Sequence, residues 1–462
     1  MPRRLPASLF FLALLTPALA QQQPTMPDMP GMDMGHMDHD KQTAPMQKMN
    51  MMQQPTNLIE AQLNHLTSGT SAEPASTPMY MIMSHRAGWM LMLHGSGFIA
   101  DTQQHSSTGR GGDKFFSTNW IMPMAMRQVG PGQLTLRAMF SLEPATVTSR
   151  QYPELFQQGE TAFNKPIIDG QHPHDFFMEL GALYDIRLGE RALLSFYAAP
   201  IGDPAIGPTA YPHRMSASED PIAALGHHQE DSTHIAFNVL TAGFTWRGLR
   251  FEQSGFHGGE PSEQRWQFQP SSNGHAIDSY SSRVTFSPSA NWSGQYSIAH
   301  IVSPEALYPG EDQQRQTASI MYNRPFGKKD SNGLTSGNWS STLLWGRTRS
   351  LTGDHKINSY LAESLLKFGT RNYLWTRIEN AGRSTELLLP PETALPPNFE
   401  ESPIGHVQAY TLGYDRDFRI APHILAAPGA QFTLYNTPQA LVSTYGKNPF
   451  GAVAFVRLRI SQ

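Results

Sequence analysis

Methionine and histidine, two residue types that bind soft metal ions, are concentrated near the start of the sequence. Residues 26–40, MPDMPGMDMGHMDHD, contain five methionines, two histidines and four aspartates in a chain without cysteine. Thioether sulfur prefers Cu(I) or Ag(I), and imidazole and carboxylate extend the range to Cu(II). The segment predicts capture of a copper ion. The alternative is a compositional bias that binds nothing. The candidate ligands are Met26, Met29, Met32, Met34, His36, Met37, His39, Met46 and Met49.

A second group of candidate ligands lies in two long segments between the predicted strands described below. The stretches DGQHPHDFF (169–177), YPHRM (211–215) and LGHHQEDSTH (225–234) hold six of the 18 histidines. If these segments fold inward, imidazole and carboxylate groups could bind a divalent ion. The alternative is that they are ordinary polar loop residues. The candidate ligands here are His172, His174, Asp175, His227 and His228.

Further methionines occur at every second position on the early strands. Met90 and Met92 are followed in phase by His94, and Trp89, Leu91 and Leu93 take the opposite parity, which places the methionines on the lumenal face. Met122, Met124 and Met126 repeat the spacing but share parity with Trp120, so either face is open to them.

Sequence signatures of enzymes are absent. The chain has no HExxH, GxSxG or P-loop motif, and no GxGxxG after a strand. A hydrolase on the rim of the protein remains a third hypothesis, since a serine–histidine pair needs no local motif. Ser96 with His94, or Ser232 with His234, would be such a pair. We expect no catalysis.

The amino-terminal residues predict export. Arg3 and Arg4 precede an apolar run that ends in ALA at residues 18–20, the pattern of a secretory signal removed after Ala20. Residues 21–78 are rich in Gln, Met and Pro and predict a disordered periplasmic tail. The formal net charge of -4 gives no sign of a nucleic-acid surface.

From residue 79 to 462 the sequence alternates apolar and polar residues with a period of two, which is typical of half-buried strands. In QLTLRAMFSLE (133–143), Leu134, Leu136 and Phe140 share one face. Most segments are longer than strands of soluble sheets and long enough to cross a membrane. The sixteen predicted strands are 88–100, 115–128, 132–147, 176–188, 191–200, 233–246, 249–258, 277–287, 291–303, 313–325, 335–348, 356–369, 372–384, 406–418, 424–435 and 448–460.

The connections between these segments support a barrel in an outer membrane. Every second connection is short, as in VGPG (129–132) and RGL (247–249), whereas 148–175 and 201–232 are long. Short periplasmic turns that alternate with long outer loops are a property of bacterial outer-membrane barrels. The sequence therefore predicts an all-β, transmembrane, antiparallel up-and-down β-barrel of about 16 strands, preceded by a disordered tail. A soluble secreted sandwich or propeller is the alternative.

The amino-terminal run resembles the Met- and His-rich tails of outer-membrane copper-resistance proteins of the B type, in which a signal peptide and an MPGMDM-like run precede a β-barrel. The resemblance covers about thirty residues and the layout, and it implies copper tolerance at the outer membrane. We therefore expect copper or silver binding that contributes to metal export or sequestration. A porin-like channel for small polar solutes with an incidental tail is the alternative. The expected partners are outer-membrane lipid and periplasmic copper proteins or efflux components, and a homotrimer is left open.

Overall fold

The computed structural model of the protein describes residues 55–64, 67–231, 235–268, 274–330 and 333–461. Its strands are β1 Ile82–Arg86, β2 Trp89–His105, β3 Gly111–Val129, β4 Gly132–Phe140, β5 Tyr152–Pro153, β6 Glu160–Ala162, β7 Lys165–Ile167, β8 Gly170–Gln171, β9 Phe177–Arg187, β10 Ala192–Gly202, β11 Ala236–Trp246, β12 Leu249–His257, β13 Ser279–Ser289, β14 Trp292–Ile301, β15 Gln313–Lys329, β16 Thr335–Ser350, β17 Lys356–Phe368, β18 Asn372–Ser384, β19 Pro403–Arg416, β20 Phe418–Ala421, β21 Ile424–Asn436 and β22 Phe450–Ile460. The helices of the described residues are α1 Leu58–Asn64, α2 Glu143–Thr146, α3 His227–Glu230 and α4 Val442–Tyr445, with 3-10 turns at Thr385–Leu388 and Gln439–Leu441.

Sixteen strands of the described chain form one antiparallel sheet that closes on itself: β2–β4, β9–β19, β21 and β22. The ring closes between its first and last strands, where Ile99 of β2 lies opposite Val456 of β22. The short strand β1 folds back on the start of β2, and β20 continues β19 along β21. The predicted closed β-barrel of 16 strands is confirmed.

The wall has an apolar outer face and a polar inner face. On β12, Arg250 and Glu252 are buried, whereas Phe251 between them is 48% exposed. Successive side chains of a strand point to opposite faces, so Phe251 faces outward and its two charged neighbours face the lumen. An exposed apolar belt is what a barrel presents to lipid. Among the described residues, no helix is long and apolar enough to cross a membrane.

All sixteen predicted strands are present, with shifts at their ends. At the hairpin between β2 and β3, both strands are longer than predicted, since β2 continues to His105 and β3 begins at Gly111. The third predicted strand, 132–147, ends at Phe140 because α2 begins at Glu143, just before Pro144. We call the barrel end with the short connections the short-turn end, and the opposite end the long-loop end.

The chain before the barrel lies inside the lumen. Residues 55–64 and 67–81, here called the inner segment, begin with α1, where the Asn57 side chain accepts a hydrogen bond from the Glu60 amide at 3.0 Å and caps the helix. The segment then follows the lumenal wall. Arg137 of β4 donates to the carbonyl oxygens of Thr67 and Gly69, at 2.6 and 2.5 Å.

Further contacts hold the inner segment along the wall. The Ser293 hydroxyl of β14 donates to the Ala72 carbonyl oxygen at 2.8 Å. The guanidinium of Arg459 on β22 lies 4.0 Å from the centre of the Tyr80 ring. The expected disordered tail to residue 78 is therefore corrected for residues 55–64 and 67–78, because the wall supplies hydrogen-bond partners for this polar backbone. The expected signal peptide and the Met-rich run fall outside the described residues.

Residues 203–231, between β10 and β11, are here called the second outer loop. This loop also folds into the lumen and reaches the opposite wall. Arg214 forms ion pairs with Glu363 of β17 at 2.5 Å and with Asp231 at 3.1 Å. Asp220 pairs with Arg377 of β18 at 2.9 Å. The inner segment and this loop both lie inside the barrel and therefore narrow its lumen.

Candidate metal centre

One carboxylate oxygen in the lumen lies between two imidazoles. Oε1 of Glu160 is 2.8 Å from Nε2 of His172 and 2.6 Å from Nε2 of His228. The Gln171 amide donates to the same oxygen at 2.7 Å. Ligand atoms of Glu160, His227 and His228 all lie within 4.8 Å of one another. The Glu160 carboxylate therefore has nitrogen atoms of three imidazoles, those of His172, His227 and His228, within 4.8 Å.

Residues 141–176, between β4 and β9, are here called the first outer loop. The small strands of this loop place Glu160 and His172 together. Glu160 begins β6, which pairs with β7 through a two-residue turn at Phe163 and Asn164, both with positive φ. His172 directly follows β8, and its backbone amide donates to Oε2 of Glu160 at 3.0 Å. The hairpin and the backbone hydrogen bond fix the carboxylate relative to the first imidazole.

The second outer loop supplies the other two imidazoles. His227 and His228 are the first two residues of α3. Nδ1 of His227 lies 2.5 Å from Oδ1 of Asp231, one helical turn later. A carboxylate bound to one ring nitrogen orients an imidazole in the way that outer-shell carboxylates orient metal-bound histidines. The site thus joins two loops that are far apart in sequence.

The remaining predicted ligands line the same cavity but make other contacts. Nδ1 of His174 lies 2.9 Å from Oε2 of Glu143, and Asp175 pairs with Arg265 at 3.2 Å. All five predicted loop residues therefore border one cavity, lined also by Glu260. The structure brings His172, His227 and His228 together at Glu160 and directs His174 and Asp175 to separate partners.

The protonation states at the centre suit metal binding. Burial raises the pKa of Glu160, but the neighbouring His172 and His228 outweigh it and hold this pKa well below its usual range. Burial lowers the pKa of His172 to about 4 against the opposing effect of Glu160. Burial also lowers the pKa of His227, although Asp231 opposes it. At neutral pH the site thus offers a carboxylate and neutral imidazoles at His172 and His227, the forms that metal ions bind.

The donor set fits a divalent transition metal of the borderline class. Imidazole and carboxylate suit Zn(II), Cu(II) and Ni(II). Ligand atoms of a tetrahedral zinc site lie about 3.3 Å apart, from bond lengths of about 2.0–2.1 Å. The Glu160 oxygen is closer than this to the nitrogen atoms of His172 and His228, so these atoms would move apart by about half an ångström to admit an ion. The cavity of about 70 Å³ beside them provides the space.

Glu160 is the functional residue that the sequence analysis missed. It stands twelve positions before His172, in GETAF, and no motif or spacing marks it. The Met-rich ligands Met26 to Met49 lie outside the described residues. On the strands, Met90, Met92 and His94 face the lumen as expected, and Met122, Met124 and Met126 are also buried there. The alternative of a lipid-facing Met122 row is therefore wrong.

No family model matches the chain, and no curated protein matches it. Among solved structures, the chain is similar to an anion-selective porin from Comamonas acidovorans, with 11% identity and a TM-score of 0.47 over 80% of this chain and 100% of that one. It is similar to Salmonella typhi OmpF in complex with daunomycin, with 9% identity and a TM-score of 0.47 over 82% and 100% of the two chains. Both likenesses concern the fold alone.

Proposed function

We propose that the protein is a porin-like channel of a bacterial outer membrane that passes small polar solutes. The observation that carries the proposal is the contrast between the two faces of the closed wall. Leu343 and Leu412 are each 60% exposed on the outside, whereas Arg283 and Arg457 are buried on the lumenal side. A barrel with this distribution is stable where lipid surrounds it and water enters it, as in the outer membrane.

The chain segments inside the lumen restrict this channel. The inner segment lies along the lumenal face of the wall and contacts residues from β4 to β22. The second outer loop crosses the lumen and contacts β18. A solute must pass between them, or one of them must move. We therefore expect a low conductance that rises when the inner segment is displaced.

Planar bilayer recording of the purified full chain tests the channel. Discrete ion-conducting steps after insertion support the proposal, with heat-modified, unfolded protein as the control. If correctly inserted protein conducts no ions between pH 5 and pH 9 at any applied voltage, the channel proposal is wrong.

A second function, binding of a divalent metal, is favoured by the centre at Glu160. A bound ion would link the first and second outer loops, because Glu160 and His172 lie on one and His228 on the other. Metal binding would then hold the second outer loop inside the lumen and keep the channel narrow. The imidazole and carboxylate donors of this site suit an ion of the Zn(II) class, whereas thioether ligands suit softer ions.

Equilibrium dialysis of the full chain against Zn(II) tests the second function. The substitutions Glu160→Gln and His228→Gln should each weaken the binding at least about tenfold, since loss of an outer-shell partner alone costs that much. His300→Gln is the matched control, because His300 pairs with Asp312 at 3.2 Å away from the centre. Unchanged Zn(II) affinity in both site variants would remove the metal centre and leave the channel proposal intact.

Copper or silver capture by residues 26–49, with export or sequestration as its result, stays a prediction for the full chain. What supports it is the thioether and imidazole content of that segment. Replacing Met29, Met32, Met34 and Met37 by leucine should lower copper tolerance of the cell while single-channel conductance persists. Partnership with periplasmic copper proteins or efflux components, and assembly as a homotrimer, likewise stay predictions.

A further inference from the structure

Methionines form one continuous part of the lumenal wall, which we call the methionine wall. Every buried residue of this apolar cluster is a methionine, and Met79 and Met83 pack against it, as does Trp120. Its members lie on β2, β3, β4 and β9 and just before β1. The buried members are Met81, Met90, Met92, Met122, Met124, Met126, Met139 and Met178.

Strand register aligns these thioethers in rows across the wall. Met83, Met92 and Met124 lie opposite one another on three adjacent strands. Met90 lies opposite Met126. Cβ atoms of directly opposite residues are about 4.5–5.5 Å apart. Methionine has three rotatable side-chain bonds, so neighbouring sulfur atoms within a row can turn towards one ion.

Apolar packing alone does not explain this composition. The buried cluster round Phe156 and Tyr435 contains no methionine, and neither does the cluster round Val239 and Phe256. Those clusters fill lumenal space with branched and aromatic residues, which strands favour. A third cluster, round Phe116 and Tyr373, has one methionine, Met215, among its twelve buried residues, whereas every buried residue of the methionine wall is a methionine.

Imidazoles border the methionine wall beside a cavity. Nε2 of His213 lies 3.2 Å from Sδ of Met139, and its ring centre is 4.4 Å from that of Trp120. His94 lies opposite Met122 in the strand register. A cavity of about 80 Å³ is lined by Met79, His94, Trp120 and His213, among other residues. Thioether and imidazole donors and an aromatic ring therefore surround space large enough for an ion.

We propose that the methionine wall binds a soft monovalent cation, Cu(I) or Ag(I), inside the barrel. Neutral thioethers bind such ions without releasing a proton and discriminate against harder cations. The row Met83, Met92 and Met124 supplies three sulfur ligands. The site is distinct from the centre at Glu160, whose imidazoles and carboxylate select divalent ions. Its ligands are residues 79–178 of the sequence, not the methionines of residues 26–49.

Silver binding by the full mature chain tests the proposal, since Ag(I) needs no reductant. The variant Met90→Leu/Met92→Leu/Met124→Leu/Met126→Leu keeps the apolar volume and removes four sulfur atoms. It should lose at least one tightly bound Ag(I) per chain, measured by mass spectrometry of the metal after dialysis. Met321→Leu is the control, because Met321 is buried on β15 outside the cluster. The amino-terminal methionines are identical in all three proteins.

Oxidation of the wild-type chain provides a test that needs no folded variant. Bound Ag(I) should protect Met92 and Met124 from conversion to the sulfoxide by hydrogen peroxide more than it protects Met321, as read from peptide masses. Equal protection of all three methionines overturns the proposal. So does an unchanged number of bound silver ions in a correctly folded quadruple variant, which would make the methionine wall a packing feature only.

Discussion

The side-chain amide of Asn323 donates hydrogen bonds to both the carbonyl oxygen and the hydroxyl oxygen of Ser76, at 2.8 and 3.1 Å. In return, the Ser76 hydroxyl donates to the backbone carbonyl oxygen of Asn323 at 2.9 Å. One residue of the inner segment is thus joined to β15 by three hydrogen bonds, all buried. Buried polar contacts of this kind are costly to break unless water replaces them.

Covalent fixation at this contact should hold the channel in its narrow state. The pair Ser76→Cys/Asn323→Cys introduces the only two cysteines of the chain, so no other disulfide can form. We expect the oxidised protein to conduct less than the reduced protein in bilayer recordings, because the inner segment can no longer leave the wall. Each single cysteine variant is the control and should not respond to reductant. Equal conductance in both redox states would show that the inner segment does not gate passage.

Gly69 should be intolerant of a side chain. Its φ is +52°, and a Cβ atom there would lie 2.6 Å from Cβ of Asp203 and 2.7 Å from its carbonyl oxygen. Gly69→Ala therefore forces the inner segment away from the second outer loop, and we expect faster proteolysis of residues 67–81 and a higher conductance. Gly109→Ala is the control, because Gly109 also has positive φ, at +87°, but has no heavy atom near the added Cβ. That variant should show only the backbone cost, about 1–2 kcal/mol.

Asp203, which packs against Gly69, predicts that stability and conductance depend on pH. Burial raises the pKa of Asp203 from 3.8 to about 7, against the lowering effects of Arg283 and of a hydrogen bond from Ser68. Between these two values the folded state keeps a proton that the unfolded chain has released, so stability falls as the pH rises from about 4 to about 7. Ionised Asp203 should loosen the inner segment, and conductance should rise over this range.

Asp203→Asn separates this effect from other titrations. The amide stays neutral, so the variant should keep the low conductance of acidic pH up to pH 8. Bilayer recordings at pH 5, 6, 7 and 8 measure both proteins. If the variant and the wild type follow the same curve, Asp203 is not the titrating group.

The strands could be predicted because the outer and inner faces of the barrel wall have different surroundings. Lipid outside and polar groups inside impose alternation on every strand, as Arg250, Phe251 and Glu252 show. Trp120 left the face of the Met122 row undecided in the sequence, since an aromatic at a strand position is compatible with an outward face. In the structure Trp120 packs against the methionine wall, on the inner face.

The inner segment could not be predicted from its composition. Residues such as Thr67, Ser68, Ser71 and Ser76 have the character of a disordered chain, which cannot bury enough apolar surface to fold alone. Their order comes from wall groups such as Arg137, which belong to distant parts of the sequence. Glu160 was missed for the same reason, since only the fold brings it to His228.

Arg457 should be one of the most sensitive positions of the barrel. It is fully buried on β22 and forms ion pairs with Glu219, Asp415 and Asp417. Removal of one partner from a buried ion pair leaves uncompensated charge and costs about 3–5 kcal/mol. We expect Arg457→Met to lower the unfolding temperature, measured on gels by the loss of the compact form after incubation at increasing temperatures. Because Glu219 belongs to the second outer loop, the variant should also raise conductance.

Two further variants decide whether the buried charge is the cause. Arg349→Met removes an exposed pair with Asp354, which solvent screens, so it should lower the unfolding temperature far less than Arg457→Met does. The double variant Arg457→Met/Glu219→Gln removes one of the three carboxylates that lose the ion pair with Arg457 and should recover part of the lost stability. A double variant that is less stable than Arg457→Met alone would mean that Glu219 is held mainly by its other partner, Arg459, at 2.6 Å.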